Sequence, residues 1–199
     1  MDKQQLIGSL KSHGFSNEII ESFKKVKREN FIQNNLKHLA YEDIALPLEE
    51  GATISQPYTI AFMLSLLELK ENQKVLEIGS GSGYVLALMS KIIKKGEIYG
   101  IEIINFLANS SKKLLKKDKK ITILNKDGSN GLPENAPFDR ILISAATSEI
   151  PTHLYPQLKD NGIIVVPVNN SIFQIKKHNA QITKKEFQGF VFVPLISTE

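Results

Sequence analysis

The chain has 199 residues, of which 42% are hydrophobic and 23% charged, and its formal net charge is +4. These proportions are ordinary for a globular protein and exclude a disordered chain. The sequence contains no run of about 18 apolar residues, which excludes a helix of the kind that spans a membrane. Its polar start also lacks the apolar core of a secretory signal, so we expect a cytoplasmic protein.

The chain contains no cysteine. This excludes disulfides, thiolate-held zinc, iron–sulfur clusters and a cysteine nucleophile, and we expect no metal site. Much of the basic excess lies in residues 112–120. Cations favour the C-terminal end of a helix, so this run is interpreted as the end of a surface helix and no nucleic-acid partner is expected.

The first fifty residues are predicted to be helical. Two sets of apolar residues at helical spacing are Leu6, Ile7 and Leu10, and then Ile19, Ile20, Phe23 and Val26. Each set forms one apolar face of a helix. Ser16 and Asn17 precede the second set and are candidate N-terminal caps.

From residue 74 onward, short apolar runs alternate with helical stretches. The runs cover residues 74–78, 98–102, 121–125, 140–144 and 163–167, and helical stretches begin near Gly83, Ile104 and Ile150. Near-continuous apolar strands separated by helices predict a parallel sheet covered on both faces. Residues 171–178 and 188–194, on either side of a turn at Asn179 and Ala180, are interpreted as an antiparallel hairpin that finishes the sheet.

These elements predict one α/β domain over residues 1–199 with a doubly wound, mostly parallel sheet. Residues 1–56 form its helical N-terminal addition and substrate-side loop. Residues 57–199 are expected to form its α/β core, in which the loop described next is the expected cofactor site.

A glycine-rich loop follows the first predicted strand of this core. Gly79, Gly81 and Gly83 separate residues 75–78 from an apolar helix. Glycines in that position permit a tight turn and let a ligand approach the backbone at the start of the helix. A plain tight connection without a ligand is the alternative.

Acidic residues near this loop indicate which ligand it binds. Glu77 ends the first strand, where a carboxylate would repel a pyrophosphate but suits a ligand with an ammonium group. Glu102 ends the second strand, where an acid can accept hydrogen bonds from ribose hydroxyls. Asp127 and Gly128 follow the third strand and could bind an adenine edge, or simply form a turn. S-Adenosylmethionine, a cationic nucleoside without phosphate, fits this set.

The residues after the fourth strand and the placing of the histidines narrow the range of possible methyl acceptors. Residues 144–147 read Ser-Ala-Ala-Thr and offer no set of groups that would grip an amide nitrogen. None of the four histidines, His13, His38, His153 and His178, pairs with an acid at catalytic spacing. A carboxylate acceptor needs no base, because with a pKa near ~3.5 it is already ionised at neutral pH.

Several blocks in order resemble the protein-L-isoaspartate O-methyltransferase family. Residues 51–58, Gly-Ala-Thr-Ile-Ser-Gln-Pro-Tyr, are similar to its Thr-Ile-Ser-x-Pro segment. Further similar blocks are residues 26–31, 40–43, 46–47, 76–84, 127–131, 136–139, 145–146 and 191–195. The resemblance implies a Rossmann-like class I methyltransferase fold and esterification of the free carboxylate of isoaspartyl residues in damaged proteins and peptides.

The resemblance also implies roles for individual residues. Ser55 is the expected catalytic residue near the acceptor carboxylate, although a simple helix cap is its alternative role. The expected substrate-binding residues are Ala52, Thr53 and Ile54. The expected cofactor-binding residues are Glu77, Gly79, Gly81, Ser82, Gly83, Glu102, Asp127 and Gly128.

The chain departs from the family pattern at its substrate side. Lys27 replaces a usual proline, Glu49 and Glu50 replace the common lead into Gly51, Ala52 replaces a frequent glutamine, and Asn169 replaces a frequent glycine.

Alternative functions are methylation of a small-molecule carboxylate and non-catalytic binding of S-adenosylmethionine. A nicotinamide-dependent oxidoreductase is disfavoured by Glu77 and by the Gly-x-Gly-x-Gly spacing.

Overall fold

The computed structural model describes residues 1–197, so the last two residues of the predicted core lie outside it. The α-helices are α1 (Lys3–Ser12), α2 (Asn17–Lys25), α3 (Pro57–Leu67), α4 (Tyr84–Ile92) and α5 (Asn105–Leu115). The strands are β1 (Leu46–Pro47), β2 (Thr53–Ile54), β3 (Lys74–Ile78), β4 (Glu97–Glu102), β5 (Ile121–Asn125), β6 (Phe138–Ile143), β7 (Leu158–Val168), β8 (Ser171–His178) and β9 (Gln181–Gln188). Short 3-10 helices occupy Arg28–Asn30, Asn34–Leu39, Glu49–Gly51, Pro133–Asn135 and Thr152–Gln157.

A seven-stranded sheet with the order β5-β4-β3-β6-β7-β8-β9 forms the centre of the molecule. Strands β3 to β7 pair in parallel, and β8 and β9 add antiparallel strands at one edge. The chain winds from β3 toward one edge and from β6 toward the other, so the doubly wound prediction is confirmed. Ligands of such sheets bind at the carboxyl ends of the strands, next to the point where the winding reverses.

Alternate strand residues bury themselves on opposite faces of the sheet. Val75 and Leu142 belong to one apolar cluster together with residues of α1 to α4. Leu76 and Ile141 belong to a second cluster, which Leu154 covers from the 3-10 helix Thr152–Gln157. Both faces of the sheet are therefore covered, and all five predicted core strands are present.

The helical stretch predicted near Ile150 is present as a 3-10 helix and not as an α-helix. The segment is the 3-10 helix Thr152–Gln157, which begins after Pro151 and contains Pro156. Proline lacks the backbone N–H that an α-helix would need at that position, so only a short, tighter turn forms.

The two N-terminal helices are confirmed, and Ser16 caps α2 by accepting a hydrogen bond from the backbone N–H of Ile19. The prediction that all of the first fifty residues are helical is only partly right. Arg28–Asn30 and Asn34–Leu39 form 3-10 helices, and Leu46 pairs with Ile54 in a two-stranded antiparallel ladder of β1 and β2. Within residues 1–197, none of the helices combines the length and the apolar character needed to cross a bilayer.

The C-terminal hairpin is present, but its second strand was predicted in the wrong place. Asn179 and Ala180 both adopt positive φ, 47° and 62°, which is typical of a two-residue hairpin turn. The partner strand therefore starts at once, as β9, and not at residue 188. Strand β9 is an exposed, polar edge strand, so its sequence lacks the apolar signal of a buried strand. Beyond β9 the chain returns to the sheet, where Pro194 forms an isolated parallel bridge with Ala146.

Candidate active site

The glycine loop, residues 79–83, lies at the carboxyl end of β3. Gly79, Gly81 and Gly83 have φ values of 76°, 53° and 82°, a region that other residues rarely adopt. The backbone N–H groups of Gly79 and Ser80 both donate to the carbonyl of Ile101, 2.9 and 3.0 Å away. The loop is thus fixed against β4 before it enters α4.

Glu77 is buried beneath this loop, with 1% of its surface exposed. Its Oε1 atom accepts a 2.7 Å hydrogen bond from the Ser144 hydroxyl, whereas Oε2 has no partner among the described residues. Burial raises the pKa of Glu77 to about 8, and the negative charge of Glu102 adds to the rise. A buried, unpaired carboxylate oxygen is costly, and a cationic ligand group would satisfy it.

Glu102 holds the loop from the neighbouring strand. Its Oε2 accepts a 2.6 Å hydrogen bond from the N–H of Gly81, and Oε1 accepts one of 2.9 Å from the N–H of Ile104. Each carboxylate oxygen has two acceptor sites, so both oxygens retain capacity for a hydroxyl donor. Glu102 is 5% exposed and lines the cavity described next.

Two adjoining cavities lie against the glycine loop. The first is lined by residues that include Ser55, Ile54, Glu77 and Ser82. The second has a volume of about 330 Å³ and is lined by residues that include Ala52, Glu102, Gly128 and the segment 193–196. Residues that line both cavities are Thr53, Gly79, Gly81 and Ser144. The expected acceptor residues and most of the expected cofactor residues therefore lie around two adjoining cavities that share part of their lining.

Two of the predicted cofactor residues, Gly83 and Asp127, line neither of these cavities. A Cβ atom on Gly83 would lie 2.9 Å from Leu115 Cδ1, so this glycine permits close packing of α4 against α5. The Asp127 carboxylate accepts a 2.7 Å hydrogen bond from the N–H of Ser129. This bond is the turn geometry that the alternative interpretation of Asp127 predicted.

Ser55 lies between β2 and α3, half-buried, and lines the first cavity. It is not the cap of α3: the helix begins after Gln56, and the Asp43 carboxylate accepts the hydrogen bond of the Tyr58 N–H at 2.8 Å. The alternative role of Ser55 as a helix cap is therefore wrong. Ser55 instead belongs to the wall of the first cavity.

Sequence reasoning missed Ser144 and the segment 193–196. Ser144 follows β6 and reaches Glu77 only because the parallel register places β6 beside β3. Its position at the end of the fourth core strand was the available signal. Residues 193 and 194 were predicted to end the second strand of the hairpin, whereas the segment 193–196 lines the second cavity.

The donor set of these cavities fits a cationic nucleoside. Glu77 offers an unpaired carboxylate oxygen, Glu102 offers acceptors, and the glycine loop offers close approach to its backbone. Two acidic side chains at this position are unfavourable for a pyrophosphate. Among residues 1–197, no group of three His, Cys, Asp or Glu side chains is placed to hold a metal ion.

Comparisons with known proteins show the family of this chain. The family model for protein-L-isoaspartate(D-aspartate) O-methyltransferase (PCMT) matches residues 1–199. A protein-L-isoaspartate O-methyltransferase of Thermosipho melanesiensis is 43% identical over 194 residues, covering 94% of this chain and 98% of the relative. One from Ignicoccus hospitalis is 39% identical over 207 residues, covering 99% and 98%.

Solved structures show the same similarity. A protein-L-isoaspartate O-methyltransferase superposes with a TM-score of 0.89 at 28% identity, covering 97% of this chain, which spans 65% of that longer chain. A second structure, described as a beta-aspartate methyltransferase (PCMT) from Plasmodium falciparum in complex with S-adenosyl-L-homocysteine, gives a TM-score of 0.86 at 26% identity and covers 100% of both chains. The chain therefore belongs to the protein-L-isoaspartate(D-aspartate) O-methyltransferase family.

Proposed function

We propose that the chain transfers a methyl group from S-adenosylmethionine to the free α-carboxylate of L-isoaspartyl residues in damaged proteins and peptides. One observation carries the proposal: Ser55 and Glu77 line the same cavity, and this cavity shares Thr53, Gly79, Gly81 and Ser144 with the second one. An acceptor held by residues 52–55 would thus meet a donor held at the carboxyl ends of β3 and β4. Family membership supports both the donor and the acceptor.

The donor site consists of residues on the sheet and its loops. Glu77 would take the ammonium group on its unpaired Oε2, and Glu102 would accept from the ribose hydroxyls. The walls of the donor site would be formed by the backbone of Gly79, Gly81, Ser82 and Gly128. Gly83 and Asp127 line neither cavity and would stabilise the loops that carry these walls. When bound, S-adenosylmethionine supplies a methyl group on a positively charged sulfur. The acceptor oxygen bonds to the methyl carbon, and the electron pair of the broken carbon–sulfur bond stays on the sulfur.

The acceptor side needs no general base. An α-carboxylate is ionised at neutral pH, so its oxygen is already the nucleophile and no proton has to move. The Ser55 hydroxyl would hold that carboxylate by a hydrogen bond, while Thr53, Ile54 and Ala52 shape the pocket around it. The task of these residues is alignment and exclusion of water. The methyl ester then closes to a succinimide without enzymic help, and its hydrolysis returns some normal aspartate.

A paired-peptide assay tests the proposed function. Purified protein is incubated with methyl-labelled S-adenosylmethionine and two peptides that differ only in one aspartyl or isoaspartyl linkage. We expect base-labile label on the isoaspartyl peptide alone. Label on neither peptide despite tight donor binding would instead support a non-catalytic binding module, and label on an added simple carboxylate alone would support a small-molecule methyltransferase.

We further propose that the protein works in the cytoplasm and as one structural domain. The single-domain proposal is supported by the apolar cluster that joins α1 and α2 to the core sheet. Limited proteolysis that releases a stable fragment starting near residue 57 would contradict it. Cell fractionation tests the location.

A further inference from the structure

The sequence contains two arginines, Arg28 and Arg140, and the structure buries both. Neither belongs to the residues that line the two cavities. Arg28 is fully buried, with 0% of its surface exposed. Burial lowers the pKa of the Arg28 guanidinium, yet an arginine stays charged because its ordinary pKa lies far above neutral pH. A buried charge is costly, so its contacts call for an explanation.

Arg28 binds four backbone carbonyls from two separate segments. Its Nη1 donates to Ala40 at 3.0 Å and to Glu42 at 3.4 Å, and its Nη2 donates to Ile44 at 3.0 Å. The fourth bond, from Nη2 at 3.1 Å, goes to the carbonyl of Ser55. One rigid, planar group thus ties the 40–44 loop to the residue that lines the acceptor side of the first cavity.

The same loop fixes the chain on the other side of Ser55. Asp43 accepts hydrogen bonds from the Tyr58 N–H at 2.8 Å and from the Gln56 side chain at 3.1 Å. The negative charge of Asp43 also favours the charged form of Arg28. Ser55 therefore sits between two anchors, its own carbonyl on Arg28 and the following helix start on Asp43.

We propose that Arg28 is a positioning residue for methyl transfer, which fixes the Ser55 backbone so that the Ser55 hydroxyl meets the acceptor carboxylate. This inference rests on the proposed function and on the role of Ser55 in it. A lysine cannot replace Arg28, because its single nitrogen cannot reach carbonyls of both segments in the same fork geometry. A shift of about 1 Å in a positioning group can cost about 100-fold in rate.

Arg140 supplies a matched control. It is 6% exposed, and it too donates to backbone carbonyls, those of Leu67, Glu68, Asp139 and Asn161. Leu67 ends α3, so Arg140 holds the far end of the helix that Ser55 precedes. Arg140→Lys also removes a buried guanidinium, but at a position away from the acceptor pocket. It therefore measures the effect of the lost stability alone.

The test measures kcat and KM on an isoaspartyl peptide, and the affinity for S-adenosylhomocysteine, below the melting temperature of every variant. We expect Arg28→Lys to lower kcat/KM about 10- to 100-fold, mainly in kcat, and Arg28→Met to lower it further. Arg140→Lys should change kcat/KM less than about threefold, and nucleoside affinity should stay within about threefold in all variants, as expected of independent sites. Arg28→Lys carries the test if Arg28→Met fails to fold.

A double-mutant cycle decides whether Arg28 acts through Ser55. Adding Arg28→Lys to Ser55→Ala should lower kcat/KM by no more than about threefold beyond Ser55→Ala alone, because the group that Arg28 positions is then absent. The inference is overturned if the two losses multiply, if Arg140→Lys loses as much activity, or if the loss lies in nucleoside affinity. A wild-type protein that leaves the isoaspartyl peptide unlabelled would refute the proposed function itself, a result distinct from these.

Discussion

Replacing Glu77 by glutamine is expected to stabilise the ligand-free protein, increasingly so as the pH rises. The pKa of Glu77 rises from an ordinary 4.5 to about 8 on folding, chiefly because the carboxyl is buried. Between these values the folded chain holds a proton that the unfolded chain has released. Rising pH therefore favours unfolding across this interval, and the loss of stability levels off above pH 8.

The magnitude follows from the size of the shift. At about 1.4 kcal/mol per pKa unit, the interval from 4.5 to about 8 sets a ceiling of about 5 kcal/mol on the stability lost by pH 8. Glutamine has no charge to bury, and its carbonyl can still accept the hydrogen bond from Ser144. Glu77→Gln should thus recover part of that loss at pH 8 and almost none at pH 5.

Urea denaturation of the ligand-free protein at pH 5 and pH 8 measures the effect. The quantity of interest is the free energy of unfolding of Glu77→Gln minus that of wild type. This difference should be larger at pH 8 than at pH 5 by at least about 1 kcal/mol. Glu149→Gln, at an exposed position, controls for the substitution. The reasoning would be refuted if the stability difference between Glu77→Gln and wild type were the same at both pH values, or if Glu77→Gln were the less stable protein at pH 8. Either result would mean that burial does not raise the pKa of Glu77.

Three further substitutions have definite expected outcomes. Ser55→Ala should lower kcat/KM on an isoaspartyl peptide about 10- to 150-fold, since a hydrogen bond to a charged group is worth about 1.5–3 kcal/mol; unchanged steady-state turnover would remove Ser55 from the mechanism. Ser144→Ala should weaken S-adenosylhomocysteine binding about 3- to 10-fold at pH 7, because ionised Glu77 loses one donor; calorimetry showing equal affinity would contradict this. Gly83→Ala should lower the free energy of unfolding by about 1–3 kcal/mol, owing to its positive φ and the contact with Leu115; an unchanged denaturation midpoint would show that the loop relaxes freely.

The inner core strands were predictable from the sequence because burial on both faces leaves a plain apolar signal. Residues 74–78 match β3 to the residue, and its last four residues are buried. Strand β9 was not predictable in this way, since an exposed edge strand has no buried face and its Lys184 and Lys185 resemble a loop. The apolar pattern at Thr152–Gln157 indicates a helix but not its type, which depends on the hydrogen bond that Pro156 cannot donate.

The placement of Glu77 and Glu102 against the cavities was predictable, because each residue lies at or near the end of its own strand. A role was not predictable where it depends on contacts between distant parts of the chain. Ser144 lies 67 residues from Glu77 in sequence, and Arg28 lies 27 residues from Ser55. Neither pairing leaves a spacing pattern, because both arise from the sheet register and from the packing of the N-terminal region.

The central claim is that the Glu77 carboxylate receives the ammonium group of the nucleoside. Calorimetric titration of S-adenosylhomocysteine at pH 7, in two buffers of different ionisation enthalpy, tests it directly. Wild-type protein should release up to one proton per ligand bound, because a cation beside Glu77 draws its pKa down from about 8. Glu77→Gln should bind more weakly and release none. Proton release that is absent from wild type, or unchanged in Glu77→Gln, would contradict the claim.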